Sequence, residues 1–153
     1  MTHDSLRQDV LFEARKVLLS HPAVEAAYLL GSAAGDRLRP DSDVDIAMLP
    51  RRSTILSVED RLSLTATLGR IFGRPVDLGI LGTGNLVFAK EAITRGRLIA
   101  ERDHVVTATF EMYVLSMYAA LQEARREVLR AYAAGRHSAQ QGGDHRTVHP
   151  SHS

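Results

Sequence analysis

The sequence predicts an α+β (α/β) domain: a small mixed β-sheet flanked by helices, with a long helix near the C-terminal end. Three observations predict it. Apolar residues recur at helical and strand spacing in the order helix–strand–strand–helix–strand, then helices. Proline and glycine separate the segments, at His21-Pro22, Pro50 and Gly73-Arg74-Pro75. The hydrophobic share of 44% over 153 residues suits one domain with a real core. Aromatics are few and Trp is absent, so Leu, Val, Ile and Ala must fill that core.

In chain order, Asp4 to Ser20 is a first helix, with Leu6, Val10, Ala14, Val17 and Leu18 at helical spacing. Pro22 closes it, because proline disfavours helical geometry just before itself. Val24 to Leu30 is a strand ending at Gly31-Ser32. A short helical turn and a charged loop containing Pro40 follow. Val44 to Leu49 is a second strand, closed by Pro50. Ser57, with Asp60 three residues on, opens a helix to about Phe72. Its inner stripe is Val58, Leu62, Thr65, Leu68 and Phe72. Val76 to Leu81 is a third strand. Asn85 to Arg95 is helical and Arg97 to Ala100 adds a short strand. Asp103 caps a helix to about Ala134, ended by Gly135. Its stripe is Val106, Phe110, Tyr113, Met117, Leu121, Ala124, Val128 and Tyr132. The domain is thus 1–134, with a disordered His-rich tail over 135–153, where apolar residues nearly vanish.

Composition narrows the function. The formal net charge is +1, from 19 basic and 18 acidic residues, which gives no strong field for nucleic acid or an anionic membrane. There is no cysteine, so disulfides and thiolate metal sites are excluded. No apolar run approaches the roughly 20 residues that span a bilayer. Residues 1–7 lack a signal peptide's apolar stretch, and the expected location is the cytoplasm.

The chemistry concentrates in Gly31-Ser32 and Asp43-Val44-Asp45. Asp43 and Asp45 are two apart at a strand start and project to one face. Side-by-side carboxylates repel, and a semi-buried pair calls for a cation. Mg²⁺ takes carboxylate oxygens and keeps its other positions for water and phosphate. Mn²⁺ suits the same ligands. Asp77 lies in another strand among apolar neighbours, where an unpaired carboxylate is costly. It completes a triad if the two strands are neighbours. Gly31 lets a phosphate approach the backbone, the N–H groups of a helix start favour anions, and the Ser32 hydroxyl adds a donor.

Gly-Ser, ten residues (33 to 42), then Asp-x-Asp resembles the signature of the polymerase-beta-like nucleotidyltransferase superfamily. Val76-Asp77-Leu78 is similar to that family's third-carboxylate strand. The small size, and Gly96 to Asp103 followed by a long helix, resemble the MNT-type antitoxins of HEPN/MNT toxin–antitoxin pairs. The resemblance covers roughly residues 20 to 134. One departure stands out: where the family often has a second glycine, this chain has Asp36, with Gly35 before it.

The resemblance implies a polymerase-beta-like fold and a Mg²⁺-dependent enzyme. It implies transfer of AMP from ATP to a tyrosine of a cognate HEPN RNase toxin, which is thereby silenced. Gly31 and Ser32 would contact the triphosphate. Asp43 and Asp45 would bind both of two metal ions. Asp77 would bind one ion and act as base. Two rivals stand beside this reading: nucleotide transfer to a small molecule of the aminoglycoside type, and a non-catalytic antitoxin acting by occlusion. The first usually needs a larger C-terminal domain for its acceptor pocket, and the second has no need of three acids.

Other features take plainer readings. Arg37 and Arg39 are expected to be exposed loop residues, and His137, His145, His149 and His152 a solvated tail. Arg130 and His137 fit the Arg-then-His spacing of HEPN RNases loosely, but one long helix is no helical bundle. Tyr113, Tyr118 and Tyr132 are read as packing residues.

Overall fold

A computed structural model describes residues 3–31 and 43–147, with side chains over 8–31 and 43–136. The elements run α1 (His3–Ser20), β1 (Val24–Leu30), β2 (Val44–Pro50), α2 (Val58–Phe72), β3 (Val76–Ile80), α3 (Leu86–Arg95), β4 (Arg97–Glu101) and α4 (His104–Thr147). The expected turn after Gly31 and the loop through Pro40 lie outside the described residues.

The four strands form one mixed sheet in the order β3-β2-β1-β4. β1 is antiparallel to both β2 and β4. β2 and β3 are parallel, as expected when a helix, here α2, links them. The α+β class is therefore as the sequence predicts.

Each strand turns alternate residues to opposite faces. On one face Val24, Ala27 and Leu29 of β1, Val44, Ile46 and Met48 of β2, and Val76 and Leu78 of β3 meet Ala14 and Leu18 of α1 and Leu64 and Leu68 of α2. On the other, Ala26, Tyr28, Ala47 and Leu49 meet Ala89 and Ala92 of α3 and Val114 of α4. Small alanines let α3 lie close on the sheet. Arg102 closes the α1 end: its guanidinium donates to the carbonyls of Leu19, His21 and Val24, placing a cation at a helix C-terminus.

Ser57 caps α2 by accepting the Asp60 N–H, and Gly73 ends the helix at φ 67°, the left-handed turn that favours glycine. The expected inner stripe of α2 is met at Leu68 and Phe72 and missed at Val58 and Leu62. Val58 and Leu62 are exposed, and Leu64, Leu68, Ile71 and Phe72 face the core. The sequence holds both stripes, and the position of the sheet chooses between them. The stripe of α4 is likewise met only in part, with Phe110 packed on the core as expected. Val106 and Tyr113 are exposed, while Thr107 and Val114 are buried. Thr107 tolerates burial because its hydroxyl donates to the Asp103 carbonyl. Buried Tyr28 donates from its hydroxyl to Glu111 at 2.5 Å.

The backbone of α4 continues past Gly135 to Thr147, beyond the expected end at Ala134. Glycine weakens a helix by about 1 kcal/mol against alanine, and Gly135 does not take the left-handed turn with which Gly73 ends α2. Among the described glycines only Gly31 and Gly73 have positive φ. Residues 148–153 of the expected tail lie outside the described residues.

The chain divides into two compact units, Met1–Leu115 and Ser116–Ser153. In the second, Gln122 donates to the Tyr118 hydroxyl at 2.6 Å and Glu123 pairs with Arg126. Tyr113 and Tyr132, read from sequence as packing residues, are exposed, as are Val128 and Leu129.

Candidate active site

The parallel register of β2 and β3 sets Val44 beside Val76 and Asp45 beside Asp77. Val44, Ile46, Val76 and Leu78 turn toward the α1/α2 core. Asp45 and Asp77 therefore share the opposite face, on neighbouring strands, at the same end of the sheet. Asp43 immediately precedes β2 and is exposed. The structure thus brings Asp45 and Asp77 together as the spacing anticipated.

On the other side of β2, Leu30 of β1 pairs with Asp45. Gly31 follows with φ 65°. A Cβ there would lie 3.7 Å from Asp45 Oδ2, so the Gly31 backbone stands directly against that carboxylate. Ser32, Arg37 and Arg39 lie outside the described residues.

Asp45 and Asp77 are exposed rather than semi-buried, yet the Asp45 carboxyl is raised above the ordinary carboxylate range, first by partial desolvation, then by the negative charges of Asp77 and Asp43. All three acids thus act on one locality. Among the described residues no group of three or more His, Cys, Asp or Glu forms a ready-made metal cage. An ion here would draw further ligands from water or phosphate, which is how Mg²⁺ is commonly held.

A cleft of about 270 Å³ opens at this sheet end, lined by Leu30, Asp45, Ile46, Asp77, Gly79 and Phe88. Sequence reasoning missed Gly79 and Phe88. Asn85 caps α3 by accepting the Phe88 N–H at 3.2 Å, which fixes the start of the helix and aims the ring at the sheet. A Cβ on Gly79 would come within 2.8 Å of Phe88 Cζ, so the ring occupies the place a side chain would take. A glycine inside a strand is itself a sign of close approach, and that signal was present in the sequence. At the outer edge of β3 the Arg61 guanidinium of α2 donates to the Leu78 carbonyl, beside Asp77.

The model of the polymerase beta nucleotidyltransferase family matches residues 13–105. No curated relative matches in sequence. Three solved structures share the fold. A toxin–antitoxin with AMP-PNP is 23% identical over 82% of this chain and 98% of that one, with a TM-score of 0.63. A mutant of the toxin–antitoxin MntA-HpeT is 23% identical over 80% of this chain and 98% of that one, TM-score 0.66. A tri-AMPylated Shewanella oneidensis HEPN toxin in complex with MNT antitoxin is 24% identical over 83% of this chain and 98% of that one, TM-score 0.62. At such identities the likeness is one of fold. The family match spans more than half of the chain and contains every strand of the acid-bearing sheet, and by it the chain belongs to the polymerase beta nucleotidyltransferase family.

Proposed function

We propose that this nucleotidyltransferase is an antitoxin that transfers AMP from ATP to a tyrosine of a cognate HEPN RNase toxin, in the cytoplasm, and so neutralises it. The observation that carries the proposal is the pairing of Asp45 with Asp77, with Gly31 against Asp45 on the opposite side. The solved structures of similar fold support the choice of substrates: one is described with AMP-PNP, another with an AMPylated HEPN toxin.

Each residue has a task in this reading. The backbone at Gly31 and the Ser32 hydroxyl receive the triphosphate. Asp43, Asp45 and Asp77 would hold the two Mg²⁺ or Mn²⁺ ions. Hard carboxylate oxygens that repel one another fit such ions. The ions, when bound, supply charge neutralisation of the triphosphate and of the attacking oxygen. Asp77 takes the proton of the tyrosine hydroxyl. The phenolic oxygen bonds to the α-phosphorus, and the bond from that phosphorus to the pyrophosphate oxygen breaks.

One observation favours a second, compatible mode. Val128, Leu129 and Tyr132 expose apolar surface on α4, which suits a protein contact and inhibition by occlusion. Intact-mass measurement separates the two. The toxin is incubated with this protein, Mg²⁺ and each nucleoside triphosphate, alongside Asp43→Ala and Asp45→Ala. Added AMP on the toxin, absent with both variants, is the expected result. An unmodified toxin that is still bound and still inhibited would leave occlusion alone.

A further inference from the structure

We propose that Arg61 is a positioning residue for the transfer reaction: from α2 it ties down the outer edge of β3 and so holds Asp77 in place beside Asp45. The inference rests on the transfer reading above and adds what sets the geometry of its third acid.

The Asp77 side chain is exposed and carries no hydrogen bond or ion pair among the described residues. Its position is therefore inherited from the backbone of β3. That strand ends the sheet order, with β2 as its neighbour on one side. Val44 donates its N–H to the Pro75 carbonyl at 2.9 Å, and Leu81 donates its N–H to the Met48 carbonyl at 2.8 Å. With Asp45 opposite Asp77, this ladder turns the backbone groups of Asp77 and Gly79 toward β2 and those of Leu78 outward. The Leu78 side chain is buried with Leu64 and Leu68 of α2, and the Phe88 ring lies over Gly79 on the other face. The outer edge remains, and there the Arg61 guanidinium donates to the Leu78 carbonyl, one residue past Asp77.

Arg61 is suited to the task. It stands in the first turn of α2, where its own N–H donates to the Ser57 carbonyl at 2.9 Å and the Thr65 hydroxyl donates to its carbonyl at 2.7 Å. No ion pair among the described residues draws its guanidinium elsewhere. A planar fork on a long stem spans from helix to strand edge and keeps its direction, which a lysine ammonium does less well. Misplacing a reacting group by about 1 Å can cost on the order of 100-fold in rate, so the tie bears on chemistry as well as on fold.

The test uses the full chain with Arg61→Met and Arg61→Lys. Arg70→Met is the control, because Arg70 lies on the same helix and bonds within it, to Thr67. With Mg²⁺, ATP and the toxin, Arg61→Met is expected to lower kcat about 10-fold and leave the ATP KM within about twofold. Arg61→Lys should recover part of the loss. Mn²⁺ affinity, read by EPR without nucleotide, should weaken by about 10-fold in Arg61→Met. Deuterium exchange across residues 76–80 should quicken in the same variant, and Arg70→Met should match the wild type throughout. Thermal melts confirm that each variant is folded.

Unchanged kcat and Mn²⁺ affinity in Arg61→Met overturn the proposal even if exchange quickens, since the tie is then structural only. A loss of kcat without quicker exchange in β3 overturns it, as does an equal loss in Arg70→Met. If the wild type modifies no toxin, the transfer reading fails and the Mn²⁺ measurement decides alone. Affinity weakened in Arg61→Met and kept in Arg70→Met then leaves Arg61 positioning a metal-binding Asp77. No Mn²⁺ binding by the wild type, or equal binding by Arg61→Met, ends both.

Discussion

At Asp45, partial desolvation and the charges of Asp77 and Asp43 all oppose ionisation. The folded chain therefore holds this proton to higher pH than an unfolded aspartate, which releases it near ~3.9. Stability on this account is greatest below that value and is lost as pH rises through the folded-state value. Asp45→Asn is expected to raise Tm at pH 7 in the presence of chelator. It is also expected to lower transfer more than about 100-fold, the loss that even outer partners of metal ligands can cause. Mg²⁺ should raise the Tm of the wild type and leave that of Asp45→Asn nearly unmoved, because only a ligand bound to the folded state stabilises it. Scanning calorimetry with and without Mg²⁺ checks both. Gly31 answers to a different constraint. Its φ of 65° strains any other residue, while a methyl at 3.7 Å from Asp45 Oδ2 meets no clash among the described residues. Gly31→Ala should cost about 1–2 kcal/mol in urea unfolding, from backbone strain alone.

At the scale of elements, α3 and β4 meet at Gly96 with no room to spare. A methyl there would run into the Ala92 carbonyl oxygen and Leu30 Cδ2. Gly96→Ala is expected to destabilise by roughly 1–3 kcal/mol, measured by denaturant midpoint, because the nearest obstacle is backbone and cannot rotate away. The strands and caps could be read from sequence because their signals are local. Pro50, Ser57, Gly73 and Asn85 each mark an end by their own chemistry. The phases of α2 and α4 could not. Leu62 and Leu64 are equal candidates for burial, and only the sheet, absent from a local reading, distinguishes them. The same holds for the site. The spacing of Asp43, Asp45 and Asp77 names the acids, but the ring of Phe88 over Gly79 joins two elements with no shared periodicity.

For the molecule as a whole, one polar tie inside the apolar α3/α4 face deserves a pH experiment. Burial, then the bond to Glu111, pushes the Tyr28 phenol far above the ordinary tyrosine range. The unfolded chain ionises this group near ~10 and the folded chain does not, so stability is complete below that pH and declines above it. Melts between neutral pH and pH ~11 should show a steeper alkaline loss for the wild type than for Tyr28→Phe. At neutral pH Tyr28→Phe should itself cost about 1–3 kcal/mol, since it strands the Glu111 carboxylate.

The parallel pairing of β2 with β3 has a consequence for the birth of the protein. Its partners, Asp45 and Asp77, are separated in the chain by the whole of α2. Closing such a non-local pair costs more loop entropy than joining a hairpin. A nascent chain that has emerged only as far as α2 carries Asp43 and Asp45 without Asp77. The two acids thus meet only once the third strand is laid down.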